Sequence, residues 1–290
     1  METSQLKGTG VALVTPFTKQ NQVDTEALTR IVEYVTQGGV EFIVVLGTTS
    51  EAPTLSKEEK KIVRETIIQA NKKHLPLVLG IGGNNTQNVL DELKETDLTP
   101  FSAILSVTPY YNKPSQNGMY AHFSAIAQHC PLPIILYNVP GRTGVSMSAD
   151  TVLRLANDFE NIAAIKEASG NLVLDMEILR HMPKDFIFLS GDDTTTLPSV
   201  YMGGSGAISV IGIAYPELFS RMVRSGLAGN ISEANALQYE LMPKMSLAFK
   251  EGNPVGIKAI LAAQGLCEPY VRLPLVEASD SLKEAIREVL

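Results

Sequence analysis

Two cysteines, four histidines and no surplus of positive charge leave little material for disulfide, metal or nucleic-acid chemistry. Cys130 and Cys267 lie far apart in apolar settings, build no disulfide framework and read as inert buried thiols. His74, His122, His129 and His181 show no HExxH or comparable ligand spacing. His122 and His129 can share a helix face, but one such pair is too little for a metal site. No metal and no cofactor is expected. Lys and Arg number 24 against 31 Asp and Glu, a net charge of −7, which argues against a nucleic-acid partner. An anionic substrate therefore needs local cations to meet it. Long apolar runs are missing too: none approaches the ~18–20 residues of a membrane span. The opening METSQLKGTG is no signal peptide. These absences predict a soluble, cytoplasmic protein without a membrane partner.

What the chain does have is a regular alternation. Eight short, mostly aliphatic runs recur: GVALVTPF (10–17), EFIVVLG (41–47), LPLVLGIG (75–82), FSAILSV (101–107), LPIILYN (132–138), NIAAIKE (161–167), FIFLSG (186–191) and GAISVIG (206–212). Continuous apolar runs of this kind are parallel strands covered on both faces. Amphipathic helical segments separate them. Asp24 is placed to cap one, which closes near Gly38; Ser56 with Glu59 forms a capping box for the next. Eight βα units form either an open doubly wound sheet or a closed barrel. No run leads into GxGxxG or GxxxxGK[ST], which disfavours a nucleotide-binding open sheet. The expectation is a (β/α)8 TIM barrel over 1–229, followed by a small C-terminal helical domain over 230–290.

Active sites of such barrels stand where strands end. The residues there are Thr48, Thr49 and Glu51; Tyr110 and Tyr111; Tyr137 and Arg142; Lys166 and Glu167; Gly191, Asp192 and Asp193; and Ile208 with Ser209. Singly, each has an ordinary explanation: a turn cap, packing, a surface ion pair, or, for the two aspartates, the start of a helix. Together they are chemically coherent. A lysine whose surroundings disfavour the ammonium offers a free amine to a ketone. A tyrosine linked to a threonine hydroxyl can shuttle the protons of Schiff-base chemistry. Threonine hydroxyls and backbone amides can seat one carboxylate, and an arginine fork a second. This set describes a lysine-dependent aldolase or lyase acting on a 2-oxo acid.

GTGVALVTPF, GTTSEAPTLS, TPYYNKPSQNG, LYNVPGRTG, IKEASG and SGDD…GGSGAISV follow one another in the order and near the spacing of the dihydrodipicolinate synthase family, which the chain resembles from about residue 8 onward. The resemblance implies Schiff-base condensation of pyruvate with L-aspartate-4-semialdehyde in lysine and diaminopimelate biosynthesis. It implies a homotetramer made of two tight dimers. By position, Lys166 is the Schiff-base lysine, Tyr137 the proton donor and acceptor, and Thr48 the relay. Tyr111 is the relay tyrosine supplied to the neighbouring subunit. Thr49 and Ile208 correspond to the pyruvate carboxylate site, and Arg142 and Gly191 to the semialdehyde side. Arg142 in its RTG setting favours this reaction over N-acetylneuraminate lyase or a 2-keto-3-deoxy sugar acid aldolase. A catalytically dead, oxo-acid-binding barrel needs one of these groups missing. Two departures stand out. Ser50 occupies the position where the family usually has glycine. At positions matching the inhibitor site of lysine-sensitive relatives the chain keeps Tyr110 and Asn84 but has Ala52, Pro53, Lys57, Lys60 and Asn88. Two lysines there, without an acid, would repel an incoming ammonium, so weak or absent inhibition by lysine is expected.

Overall fold

The computed structural model describes residues 4–290. Eight strands, each followed by helix, occur in the predicted order. They are β1 (Gly8–Ala12), β2 (Phe42–Val45), β3 (Leu77–Gly80), β4 (Ala103–Val107), β5 (Ile134–Asn138), β6 (Ile162–Glu167), β7 (Ile187–Ser190) and β8 (Gly206–Ser209). All pairings are parallel and β8 returns to β1, so the sheet is a closed barrel and no edge is left exposed. The helices are α1 (Thr25–Gln37), α2 (Lys57–Ala70), α3 (Thr86–Glu95), α4 (Gln116–His129), the single turn α5 (Pro140–Thr143), α6 (Ala149–Asp158), α7 (Leu172–His181), α8 (Thr196–Tyr201) and α9 (Pro216–Leu227). After them come α10 (Ile231–Phe249), α11 (Val255–Ala263) and α12 (Asp280–Val289), the C-terminal helices. No helix among the described residues is long and apolar enough to cross a membrane.

The helix starts follow their sequence signals. Asp24 accepts the Ala27 N–H, and Ser56 and Glu59 form the reciprocal box at the start of α2. Asp192 and Asp193 behave differently from the helix-start reading. The helix begins later, at Thr196, and Asp192 instead accepts the N–H groups of Thr194 and Thr195 in the turn before it. Asp193 is buried and turned toward β8.

Apolar side chains divide into two layers. Ala12, Phe42, Val44, Val78, Leu105, Ile135, Ala164 and Leu189 fill the barrel interior, and Leu6 packs with them. A larger layer joins the outward strand residues to the helices and continues into Leu241, Ile257 and Ile286 of the C-terminal helices. Gly10 makes the inner packing possible. A Cβ there would sit 2.1 Å from the Phe42 ring, so only glycine admits that ring.

Candidate active site

The chemistry expected at the strand ends depends on which way Lys166 points. In strict alternation, residues two apart share a face. Strand β6 breaks that rule: Ile134 pairs with Ile162, but the next residue, Ile135, pairs with Ala164. The bulge at Ala163 lets Ile162 and Ile165 both face the helices while Ala164 lies in the barrel interior. It also brings Lys166 opposite Tyr137 across β5 and β6. Lys166 is buried, with Nζ 4.4 Å from the centre of the Tyr137 ring. Among the described residues no carboxylate lies within 4.0 Å of that amine. Glu167 is turned to the other face, where it accepts Asn138 Nδ2 and the Ser169 N–H, each at 2.7 Å; burial raises its pKa.

Gly191, at the end of β7, gives the lysine stem its room. A Cβ there would lie 2.8 Å from Lys166 Cε and 2.6 Å from Ala168 Cβ. Ile208 is fully buried in β8. The backbone just beyond it is held by Asp193, which accepts Ser209 Oγ at 2.6 Å and the N–H groups of Val210 and Ile211. Burial nevertheless pushes Asp193 up to about 6.

A cavity of about 520 Å3 is lined among others by Thr48, Glu51, Tyr110, Tyr137 and Arg142; Lys166, Thr49, Gly191 and Ile208 are not in its wall, and Tyr137 joins it to Lys166. Thr48 and Thr49 belong to a 3-10 turn, Thr48–Ser50, directly after β2. Ser50 answers the question raised by its lost glycine. It has no positive φ, and its hydroxyl donates to the Gly47 carbonyl at 2.7 Å, closing the turn itself. Thr49 is buried and its Oγ1 accepts Asn253 Nδ2 at 2.9 Å. Arg142 reaches the cavity from α5, and its Nη2 donates to the Asn253 carbonyl at 3.1 Å. Tyr111 stands apart: its side chain is 83% exposed on a backbone with φ 75°, while its neighbour Tyr110 lines the cavity.

Sequence reasoning singled out Glu51 but passed over its buried partner Lys258, 2.5 Å away, and Asn253, which serves both Thr49 and Arg142. The available signal was Lys258 in the middle of an otherwise apolar stretch, VGIKAILAA, because a buried charge requires a partner. The two lysines at the positions matching the inhibitor site have acidic neighbours that the sequence spacing did not reveal. Lys60 and Glu92 both line the cavity with Nζ and Oε1 3.5 Å apart, and Lys57 meets Glu95 at 3.0 Å. The thiols of Cys130 and Cys267 are free and buried, and burial pushes Cys267 up to about 12. His122 hydrogen-bonds Thr86, and burial brings its pKa down to about 4.

A closed (β/α)8 barrel with an unpaired lysine beneath a tyrosine at the C-terminal ends of its strands defines a class: the lyases of class I aldolase type. The chain belongs to the dihydrodipicolinate synthetase family, whose model matches residues 5–290. The 4-hydroxy-tetrahydrodipicolinate synthase of Flavobacterium psychrophilum is 56% identical to it over 279 residues, covering 96% of this chain and 95% of that one. The chloride-inhibited dihydrodipicolinate synthase of Acinetobacter baumannii, solved in complex with pyruvate, matches with TM-score 0.94 and 37% identity. That match covers 98% of this chain and 97% of the other. The enzyme of Cyanidioschyzon merolae, solved with lysine bound, gives TM-score 0.91 at 35% identity, with the same coverage of both chains.

Proposed function

We propose that the chain is a cytoplasmic enzyme that condenses pyruvate with L-aspartate-4-semialdehyde to 4-hydroxy-tetrahydrodipicolinate, releasing water. Lys166 Nζ attacks the keto carbon of pyruvate, and loss of water from the carbinolamine gives the imine. Removal of a methyl proton turns the imine into an enamine, whose carbon attacks the aldehyde of the second substrate. The amino group of that substrate then adds to the imine carbon and expels Lys166, closing the ring. Every stage moves a proton, and in this reading Tyr137 carries it, with Thr48 as relay and Tyr111 of a neighbouring subunit as its continuation. Thr49 and the Ile208 backbone seat the pyruvate carboxylate. Arg142 takes the carboxylate of the semialdehyde, with the Gly191 backbone beside it.

The observation that carries this reading is the bulge in β6, which sets Lys166 inward against Tyr137 and away from any carboxylate. Borohydride reduction in the presence of pyruvate tests it, followed by mass spectrometry of the peptide containing 161–170. A pyruvyl adduct on Lys166, lost in Lys166→Ala, is expected; no adduct on the native chain would sink the reading.

A homotetramer built from tight dimers agrees with the exposed apolar side chains: Tyr111 and Leu273 stand in solvent, as do Val173, Met176, Tyr201 and Tyr239 on α7, α8 and α10.

A further inference from the structure

The Thr48–Thr49 turn is held in an unusual way. It is bracketed by two residues in the left-handed region, Leu46 with φ 56° and Glu51 with φ 57°, neither of which is glycine. Side chains with a Cβ adopt that conformation only where the surroundings over-determine it. At Leu46 the neighbouring strand makes room: a Cβ on Gly80 would lie 2.3 Å from the Leu46 carbonyl oxygen. At Glu51 the anchor comes from the far end of the chain. Glu51 is buried; its Oε1 accepts Lys258 Nζ at 2.5 Å, and its Oε2 accepts the Arg272 N–H at 2.8 Å.

Lys258 is itself wholly buried on α11. Its ammonium also donates to the Tyr270 carbonyl at 2.8 Å and lies 4.2 Å from the centre of the Phe17 ring. Three segments distant in sequence thus meet on one carboxylate, one residue beyond Ser50. Glu51 lines the cavity, whereas Lys258 lies wholly buried behind it and reaches the turn through the Glu51 carboxylate.

We propose that the buried Glu51–Lys258 pair is a positioning element for catalysis, through which the C-terminal helices hold the Thr48–Thr49 turn in register with Lys166. The inference rests on the reading of Thr48 as relay and Thr49 as part of the carboxylate seat. It assigns the C-terminal helices a part in the chemistry that packing alone does not require. Removing both charges together avoids stranding either of them in the core, so fold and function can be separated.

The test is the double variant Glu51→Gln/Lys258→Met beside the native chain, following pyruvate trapping on Lys166 by borohydride against pyruvate concentration. The double variant is expected to melt cooperatively close to the native temperature. Its limiting trapping rate falls roughly 10- to 100-fold and its half-saturating pyruvate concentration rises, as a displaced catalytic turn requires. A folded double variant with native rate and native pyruvate dependence overturns the proposal. So does a double variant that fails to fold, because the pair is then an element of stability alone. Failure of the native chain to trap pyruvate would instead fault the reading of the site, and the two failures are told apart in one experiment.

Discussion

Lys166 and Lys258 are both buried lysines in apolar segments, and their partners separate their roles. Lys258 has a carboxylate at 2.5 Å, whereas Lys166 has the face of Tyr137. Burial is therefore no guide to reactivity, because a paired ammonium stays occupied. Gly191 belongs to the same argument, since it leaves space for the Lys166 stem. Gly191→Ala must displace both that stem and Ala168, and a lysine moved by a fraction of an ångström attacks pyruvate more slowly. A fall of about 10-fold or more in the rate of adduct trapping is expected, with a lowered melting temperature from an overpacking cost of about 1–3 kcal/mol. Arg142→Ala should part the two substrates. It is exposed at the cavity and anchored by the Asn253 carbonyl, away from the amine. Adduct formation with pyruvate should persist, while the KM for the semialdehyde rises by roughly 10- to 100-fold as one charge-assisted carboxylate contact is lost. Steady-state kinetics with each substrate varied in turn checks this; equal loss in both would contradict the assigned role.

At the level of elements, all eight strands were legible because each is a short aliphatic run between helical patterns. Their exact bounds were less so. The first run was read as 10–17, yet β1 covers Gly8–Ala12 and the remainder is loop. The bulge in β6 left no trace in sequence, for NIAAIKE reads as an unbroken apolar run whichever residue is unpaired. The parity of Lys166 thus became visible only once pairing partners were known. The join between β7 and β8 carries a pH signature. Asp193 is raised from 3.8 to about 6, so the folded chain binds this proton more tightly than the unfolded chain. Its contribution to stability is greatest below the unfolded value and is lost as pH rises through about 6. Glu167 and Asp175 are raised as well and act in the same direction, whereas Glu59, held down to about 2 chiefly by Arg272, acts in the opposite one at lower pH. Asp193→Asn keeps an acceptor for the Val210 and Ile211 N–H groups without the charge. Relative to the native chain, its stability should gain by up to about 3 kcal/mol as pH rises from 4 to 7. Denaturant unfolding across that range measures the difference, and parallel curves would refute the assignment to Asp193.

For the whole molecule, the barrel and its C-terminal helices share one apolar core and meet again at polar points, Asn253 with Thr49 and Arg272 with Glu59. The passage from alternating strands and helices to helices alone was visible in sequence, and after β8 ends at Ser209 only helices follow. What those helices hold was not, since contacts between residues 51 and 258 have no local signature. A final question belongs to the assembly, namely where Tyr111 acts. It is 83% exposed and left-handed, and in one chain Tyr110 takes the place at the cavity wall. A side chain so exposed is free to serve either its own chain's site or a neighbour's. Mixing two inactive variants, Lys166→Ala and Tyr111→Phe, decides the matter. If Tyr111 serves its neighbour's site, a hybrid dimer contains one site with both defects and one with neither. Random reassociation then restores activity to about a quarter of native, because half the dimers are hybrid and each has one intact site. If Tyr111 serves its own chain, every site in the mixture retains one defect and activity stays at the level of the separate variants. Co-refolding the two chains, with hybrid formation followed by native mass spectrometry, distinguishes these outcomes by rate alone.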